Sequence, residues 1–422
     1  MSLFSPVIAK AGISFSDQAM LSAFNFALGI FLIKRVEPAQ YGHYVLAYSA
    51  ILLVIGFQNA LITTQFTVLA PQKNEAQQQQ FCFSLGIGQF AYWLPGSLIV
   101  LGAAFLCRSL QLISMDSYLL TAVSSLSVLG VLAREFIRSY YFYQLRPLAV
   151  LRTDVAYVLL FALMVVLISG LDLGPLHLSV LAAFGLASFL SALKGYEVLA
   201  KGGRLDRQNI VSALQECFVQ GKWALGGVIV TWLQSQSYVY LITPLLGAGE
   251  MAVAHAGRLL LMPIGLLNMS YGRIFRAQWA KQWHTGNKAS VFSSARLALI
   301  AIIAFIGCYV GVLTIFRETV ISFLFKQTYS NADNYMLIWA LFFAVQTARS
   351  NASLLLQVFE KFRYLTAVNG LTALITVAGS LVLIPCLGGM GSLLAMVCGE
   401  ALLALLFSLQ VQKWKRQLSQ FV

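Results

Sequence analysis

The chain has 422 residues, 59% of them hydrophobic and only 10% charged. A globular protein has about 25% charged residues, so this one has too few to cover a water-facing surface, and a soluble domain is excluded. The net charge of +13 would suggest nucleic acid on a soluble protein, but on a membrane protein it must first be sorted by side of the bilayer.

The apolar runs are continuous and about 20 residues long, the length a helix needs to cross a bilayer. They lack the alternation of a membrane barrel. The expected fold is an all-α polytopic membrane protein. Twelve spans run roughly 12–33, 44–68, 81–107, 117–141, 149–169 and 175–196, then 220–245, 251–272, 292–316, 333–358, 364–386 and 389–411.

The first span carries an acid and three hydrogen-bonding groups: Asp17, Gln18, Ser22 and Asn25. Gln18, Ser22, Asn25 and Gly29 fall at i, i+4, i+7 and i+11, one helical stripe, with Asp17 at its edge. The second span adds Asn59 and Thr63. In the third, GIGQFA (86–91) matches a dinucleotide-loop pattern but has no strand before it, so it is discounted. Arg134, Glu135 and Arg138 follow in the fourth and read as a helix end anchored by basic residues at the cytoplasmic side. The run Tyr140, Tyr141, Phe142, Tyr143 reads as an interfacial aromatic belt.

The longest polar connection, about 197–219, divides the chain nearly in half. Beyond it, Thr231, Gln234, Ser235 and Tyr238 form a stripe in the seventh span. The eighth carries His255 and Arg258, with Pro263 downstream to bend it. In the tenth, Gln346, Arg349, Ser350 and Ser353 repeat the stripe spacing. The sequon Asn351-Ala352-Ser353 lies inside that span and is uninformative. The twelfth carries Glu400.

A charge at mid-bilayer costs about 2.5–3.5 kcal/mol on insertion scales, so such groups face a bundle interior or a wet cavity. Each has a bland alternative. Stripes of Ser, Thr and Gln glue helices together. Asp17 could cap a helix end, Glu400 could sit in a buried ion pair, and either arginine could snorkel or pair. Together they suggest a water-filled central cavity lined from both halves, where two arginines attract an anion and an acid binds Na⁺ or H⁺.

The six cysteines, Cys82, Cys107, Cys217, Cys308, Cys386 and Cys398, are scattered and read as reduced apolar fillers with neither a disulfide nor a metal site. The histidines His43, His177, His255 and His284 are dispersed. No signal-peptide pattern opens the chain, so the first helix is expected to stay. No serine triad, metal box or phosphate loop is present; no catalytic residue and no cofactor is expected.

With the N-terminus in the cytoplasm, 21 of the 28 Lys and Arg residues fall on the inner side. The outer side holds Lys34, Arg35, Arg108, Arg317 and Lys326, and Arg258 and Arg349 remain inside spans. The asymmetry places both termini in the cytoplasm, and nucleic acid is not implied. Six spans on each side of the polar connection suggest an internal duplication. QYGHYVLAYSAILLVIGFQN (40–59) echoes EMAVAHAGRLLLMPIGLLNM (250–269) at an offset of 210 residues. The expected organisation is a six-helix bundle over 1–205, a cytoplasmic linker at 206–218 and a pseudo-symmetric six-helix bundle over 219–422.

VEPAQYGHYVLAYSAILLVIGFQNALITTQ (36–65) resembles the helix 1–2 junction of polysaccharide flippases of the MOP (multidrug/oligosaccharidyl-lipid/polysaccharide) superfamily, with its Pro-x-x-Tyr-Gly turn. GKWALGGVIVTWLQSQSYVYLITPLLGAGEMAVAHAGRLLLMPIGLL (221–267) resembles their helix 7–8 junction, and REFIRSYYFYQLRP (134–147) their loop after helix 4. The resemblance, to the Wzx-type O-antigen or exopolysaccharide flippases, covers essentially the whole chain. It implies a protein of the bacterial inner membrane, in O-antigen, lipopolysaccharide or other polysaccharide biosynthesis. It implies that a polyprenyl-pyrophosphate-linked oligosaccharide moves from the inner to the outer leaflet by alternating access between two six-helix bundles, with Na⁺ or H⁺ coupling. Membrane lipids and a polysaccharide polymerase complex are the implied partners.

In related lipid-linked precursor flippases, cavity arginines engage the pyrophosphate, and Arg258 holds a similar position. The first helix lacks the core arginines of the peptidoglycan-precursor branch. The resemblance carries the pyrophosphate role to Arg258 alone; Arg349, Asn25, Gln18, Gln234, Tyr238 and Gln346 join it as expected substrate-binding residues from their helical faces, with Asp17 and Glu400 the expected ion-coupling ones. The alternative is a cation-coupled multidrug/toxin exporter of the same superfamily. A membrane enzyme of polysaccharide assembly would need a sizeable outer loop or an exposed acidic motif, and neither is seen. A purely structural scaffold is disfavoured by the intramembrane charges.

Overall fold

The computed structural model describes residues 4–171, 174–285, 288–329 and 331–419. The chain ends, expected in the cytoplasm, lie outside these residues, and so does the His284 side chain.

Among the described residues every regular element is helical. Hydrocarbon offers no partner to a backbone N–H or C=O, so each apolar run must satisfy its own. The first half holds α1 (Phe4–Arg35), α2 (Pro38–Gln58), α3 (Thr64–Leu69), α4 (Glu75–Gly88), α5 (Phe90–Ser109), α6 (Met115–Tyr143), α7 (Pro147–Leu171) and α8 (Leu176–Ala200). The second holds α9 (Arg207–Leu246), α10 (Ala248–Leu259), α11 (Met262–His284), α12 (Lys288–Ile315), α13 (Arg317–Leu324), α14 (Ala332–Val358), α15 (Phe362–Leu387) and α16 (Gly389–Ser419).

Each of the twelve expected spans falls on helix. The second is α2 and α3 joined by a π-helical turn, Asn59–Thr63, and the third is α4 and α5 with a break at Gln89. The eighth is α10 and the start of α11, bent by 57° just ahead of Pro263. Among the described residues, nine helical stretches are long and apolar enough to cross a membrane, or ten with the bent pair as one span. The protein is a multi-pass membrane protein. Helices α9 and α14 fall short of that hydropathy, and these two, with bent α10–α11, carry the polar stripes of the second half.

The chain divides into two compact units, Met1–Asn25 with His43–Val228, and Phe26–Gly42 with Ile229–Val422. The stretch 206–218, read above as a linker, lies almost wholly in the first turns of α9. Its Ile210, Ala213, Leu214 and Cys217 recur at i, i+3, i+4 and i+7, and this apolar stripe packs into the core of the first unit. The division falls inside α9, after Val228, rather than in a loop.

The core of the first unit gathers Phe66, Phe81, Phe136, Ile137 and Tyr140 with the α9 stripe. Helices α6 and α8 approach closely through small residues. A Cβ on Gly130 would come within 2.1 Å of the Gly185 carbonyl oxygen, and one on Gly185 within 2.4 Å of Ser127 Cα. Ser127 Oγ then donates to the Leu181 carbonyl at 2.9 Å. Tyr140 and Tyr141 are buried in this core, not in an interfacial belt. Beside the break at Gln89, Gln58 Nε2 donates to Gln89 Oε1 at 2.6 Å and to the Leu132 carbonyl at 2.7 Å. The core of the second unit is built on Trp279, Leu356, Phe407 and Leu403. Apolar side chains such as Ile99 and Phe105 on α5, Val166 on α7 and Leu297 on α12 are exposed, as a lipid-facing surface requires.

Candidate functional site

In the second unit, α10 is a short helix of small residues. Gly257 lets it approach α14, since a Cβ there would lie 2.8 Å from the Met336 backbone nitrogen. His255 and Arg258, three residues apart, share another face. Arg258 Nη1 donates to Tyr238 Oη at 3.1 Å and to Gln236 Oε1 at 3.3 Å. Its guanidinium carbon lies 5.0 Å from the centre of the Trp339 ring. Trp339 is fixed in turn by its Nε1 donating to the Ala254 carbonyl at 2.9 Å.

Among the described residues no carboxylate lies within ion-pair distance of Arg258. Its Nε and Nη2 make no hydrogen bond there either. Arg258 is thus a guanidinium with one nitrogen anchored, one face against indole and two donor groups unspent. A planar fork of that kind matches phosphate or carboxylate.

Arg349 and Glu400, singled out separately for anion binding and ion coupling, are partners. Arg349 Nε donates to Glu400 Oε2 at 2.5 Å, with the side chains 21% and 5% exposed. Each matches the other's charge, so Arg349 is not the second unpaired cation its sequence position suggested.

The first unit holds a larger charged cluster. Arg138 Nε donates to Asp154 Oδ2 at 2.7 Å, its Nη1 to Glu135 Oε2 at 3.0 Å, and its Nη2 to Asp17 Oδ2 at 3.4 Å. Arg134 Nη2 donates to Glu135 Oε1 at 3.2 Å, and its guanidinium lies 3.6 Å from the Tyr157 ring centre. Three carboxylates therefore face two guanidiniums. Asp17 and Asp154 are 1% and 0% exposed. Asp17 Oδ1, Asp154 Oδ1, and Nε and Nη1 of Arg134 are buried without a hydrogen-bond partner.

This corrects the reading of Arg134 and Arg138 as an interfacial anchor. Arg134 is buried and Arg138 half-buried in the first unit, and both are held in ion pairs. Sequence reasoning also missed Asp154. The signal was present as a lone acid within the apolar run 149–169.

The remaining expected residues separate into spent and unspent. Gln234 is spent on α15, its Nε2 donating to the Asn369 carbonyl at 2.9 Å and to Thr372 Oγ1 at 3.1 Å. Tyr238 is spent on Arg258 and His255. Gln18 and Asn25 in the first unit, and Gln346 in the second, are half-buried. None of the three makes a side-chain hydrogen bond among the described residues. All six cysteines are free.

No family model and no curated protein matches the sequence. Solved structures do match. A lipid II flippase, MurJ, in an inward closed conformation aligns with TM-score 0.71 at 14% identity, over 94% of this chain and 87% of that one. An inward-facing multidrug resistance MATE family transporter of the MOP superfamily aligns at 0.67 and 13%, over 94% and 95%. A eukaryotic MATE transporter aligns at 0.64 and 15%, over 98% of each chain. The chain therefore has the fold of MOP-superfamily flippases and transporters along nearly its whole length. Both branches share that fold.

Proposed function

We propose that this protein is a flippase that carries a polyprenyl-pyrophosphate-linked oligosaccharide, an O-antigen or exopolysaccharide repeat unit, from the cytoplasmic to the outer leaflet by alternating access. The observation that carries the reading is Arg258, an anchored guanidinium with no carboxylate partner and two free donor groups among the described residues. Lipid-linked sugar cannot cross hydrocarbon unaided, because its hydroxyls and phosphates would lose their water. Arg258 takes the pyrophosphate in this reading. Gln346 of the same unit, whose side-chain amide makes no hydrogen bond among the described residues, serves the sugar hydroxyls.

Coupling to Na⁺ or H⁺ is assigned to Asp17 rather than Glu400. Arg349 matches the Glu400 charge one to one, whereas the Asp17 cluster has one carboxylate more than its arginines neutralise. That same excess favours a second reading, a cation-coupled multidrug/toxin exporter.

One experiment separates them. Purified protein in proteoliposomes is offered a lipid-pyrophosphate-linked oligosaccharide and, separately, a cationic drug. The flippase reading expects the lipid to move, and expects Arg258→Ala to slow it by about tenfold or more with folding intact. Transport of the drug and not the lipid replaces it with the exporter.

A further inference from the structure

Tyr238 joins two groups of opposite requirement. Arginine can only donate, so Tyr238 Oη accepts from Arg258 Nη1 at 3.1 Å. Tyr238 Oη also lies 2.8 Å from His255 Nδ1. The tyrosine is fully buried, at 0% exposure, and has no other hydrogen-bond partner among the described residues. Its single hydrogen therefore goes to His255 Nδ1. That fixes the imidazole as neutral, with Nδ1 bare and the proton on Nε2. The two rings stack at 8° with centres 6.4 Å apart, so the line of three groups is held by packing as well as by hydrogen bonds.

We propose that Tyr238 and His255 are positioning residues for Arg258, forming a one-way hydrogen-bond relay, Arg258 to Tyr238 to His255, that aims the unspent donors of the guanidinium at a bound pyrophosphate. The inference rests on the reading of Arg258 as the anion ligand. It removes Tyr238 from the groups expected to touch substrate and gives His255 a role in which only the acceptor at Nδ1 matters. Each hydrogen bond in the line polarises the next, and the bare Nδ1 strengthens the hold of Tyr238 on Arg258. Gln236 and the Trp339 face keep the guanidinium from swinging about that single bond.

Two measurements test it on the full-length protein in lipid nanodiscs. In ¹⁵N spectra of histidine-labelled protein, the His255 resonance is identified by its loss in His255→Asn. It should report a bare Nδ1 and a protonated Nε2. Arg258→Ala frees Tyr238 to accept instead, so the His255 tautomers should then mix. In the second measurement, farnesyl pyrophosphate is the binding probe. Tyr238→Phe and His255→Phe should each weaken binding by about three- to tenfold. His255→Asn, whose carbonyl oxygen replaces Nδ1 as acceptor, should bind as the unmutated chain does.

A proton on Nδ1 in the resting protein overturns the relay, and that spectrum needs no variant to fold. So does His255→Phe binding as tightly as the unmutated chain while Arg258→Ala binds weakly. If the unmutated protein does not bind farnesyl pyrophosphate, or Arg258→Ala binds it equally well, the anion reading itself falls and this inference with it.

Discussion

Arg258, Arg349 and Glu400 are all charged side chains of the second unit, and their differences are differences of partner. Arg258 has no matching carboxylate among the described residues, so Arg258→Ala should lower transport of a pyrophosphate-linked lipid by about tenfold or more, the worth of one charge-assisted hydrogen bond. Arg258→Lys keeps the charge but loses the fork and should fall between the two, read as initial translocation rate. Arg349 should behave differently. Glu400→Ala strands a mostly buried guanidinium and should cost about 3 kcal/mol of stability. The paired change Arg349→Met with Glu400→Leu removes both charges and should recover most of it; a thermal-unfolding series in detergent reads the difference. If Arg349→Ala alone were to abolish transport in a fully stable protein, the purely structural role of the pair would fail. The sequence allowed an ion pair for each of these two residues but did not join them, because Arg349 and Glu400 lie 51 positions apart on helices whose facing surfaces only the fold defines. What the sequence did show was cost. Each charge stood inside an apolar run, where a solvent, a partner or a ligand had to account for it.

At the level of the helices, the sequence was most legible where the apolar runs were longest. It was least legible where one apolar stripe had to be seen beneath polar residues. RQNIVSALQECFVQ (207–220) looks like a connection by average polarity, yet its i, i+3, i+4, i+7 stripe makes it the start of α9. Average hydropathy also hid the break at Gln89, whereas Pro263 signalled the bend at Leu260–Leu261. Small residues decide how closely helices approach. Gly185→Ala would drive a methyl group into the Ser127 backbone, and overpacking of that kind costs about 1–3 kcal/mol. A lowered unfolding temperature is the expected result. Gly226→Ala, where nothing lies within 4 Å, is the matched control and should leave that temperature unchanged or raise it, as alanine favours helix over glycine.

For the whole molecule, composition alone was enough to define a polytopic helical protein, and the fold agrees with it. The orientation expected from the charge asymmetry is tested by labelling from one side of the membrane. In a cysteine-free background, an impermeant maleimide added to intact cells should label Leu112→Cys, between α5 and α6. It should not label Arg204→Cys, between α8 and α9, until the cells are opened. The reverse pattern would invert the topology and, with it, the direction of transport proposed here. The coupling proposal is also tested at this scale. Asp17→Asn should leave exchange at equal concentrations on both sides and abolish accumulation driven by an imposed Na⁺ or H⁺ gradient. Accumulation at the unmutated rate would remove Asp17 from the coupling role.

The buried cluster of the first unit has an odd number of ionisable groups, and that arithmetic has an electrical consequence. Three acids and two bases leave one uncompensated negative charge when every group is ionised. A single proton or monovalent cation brings the sum to zero. A field across the bilayer exerts force on the first state and almost none on the second, at about 2.3 kcal/mol per elementary charge per 100 mV. Any step in which the empty cluster shifts along the membrane normal is therefore voltage-sensitive, and the same step taken loaded is electrically silent. Through this cluster, membrane potential thus acts on the unloaded half of a working cycle, apart from any charge the cargo itself carries.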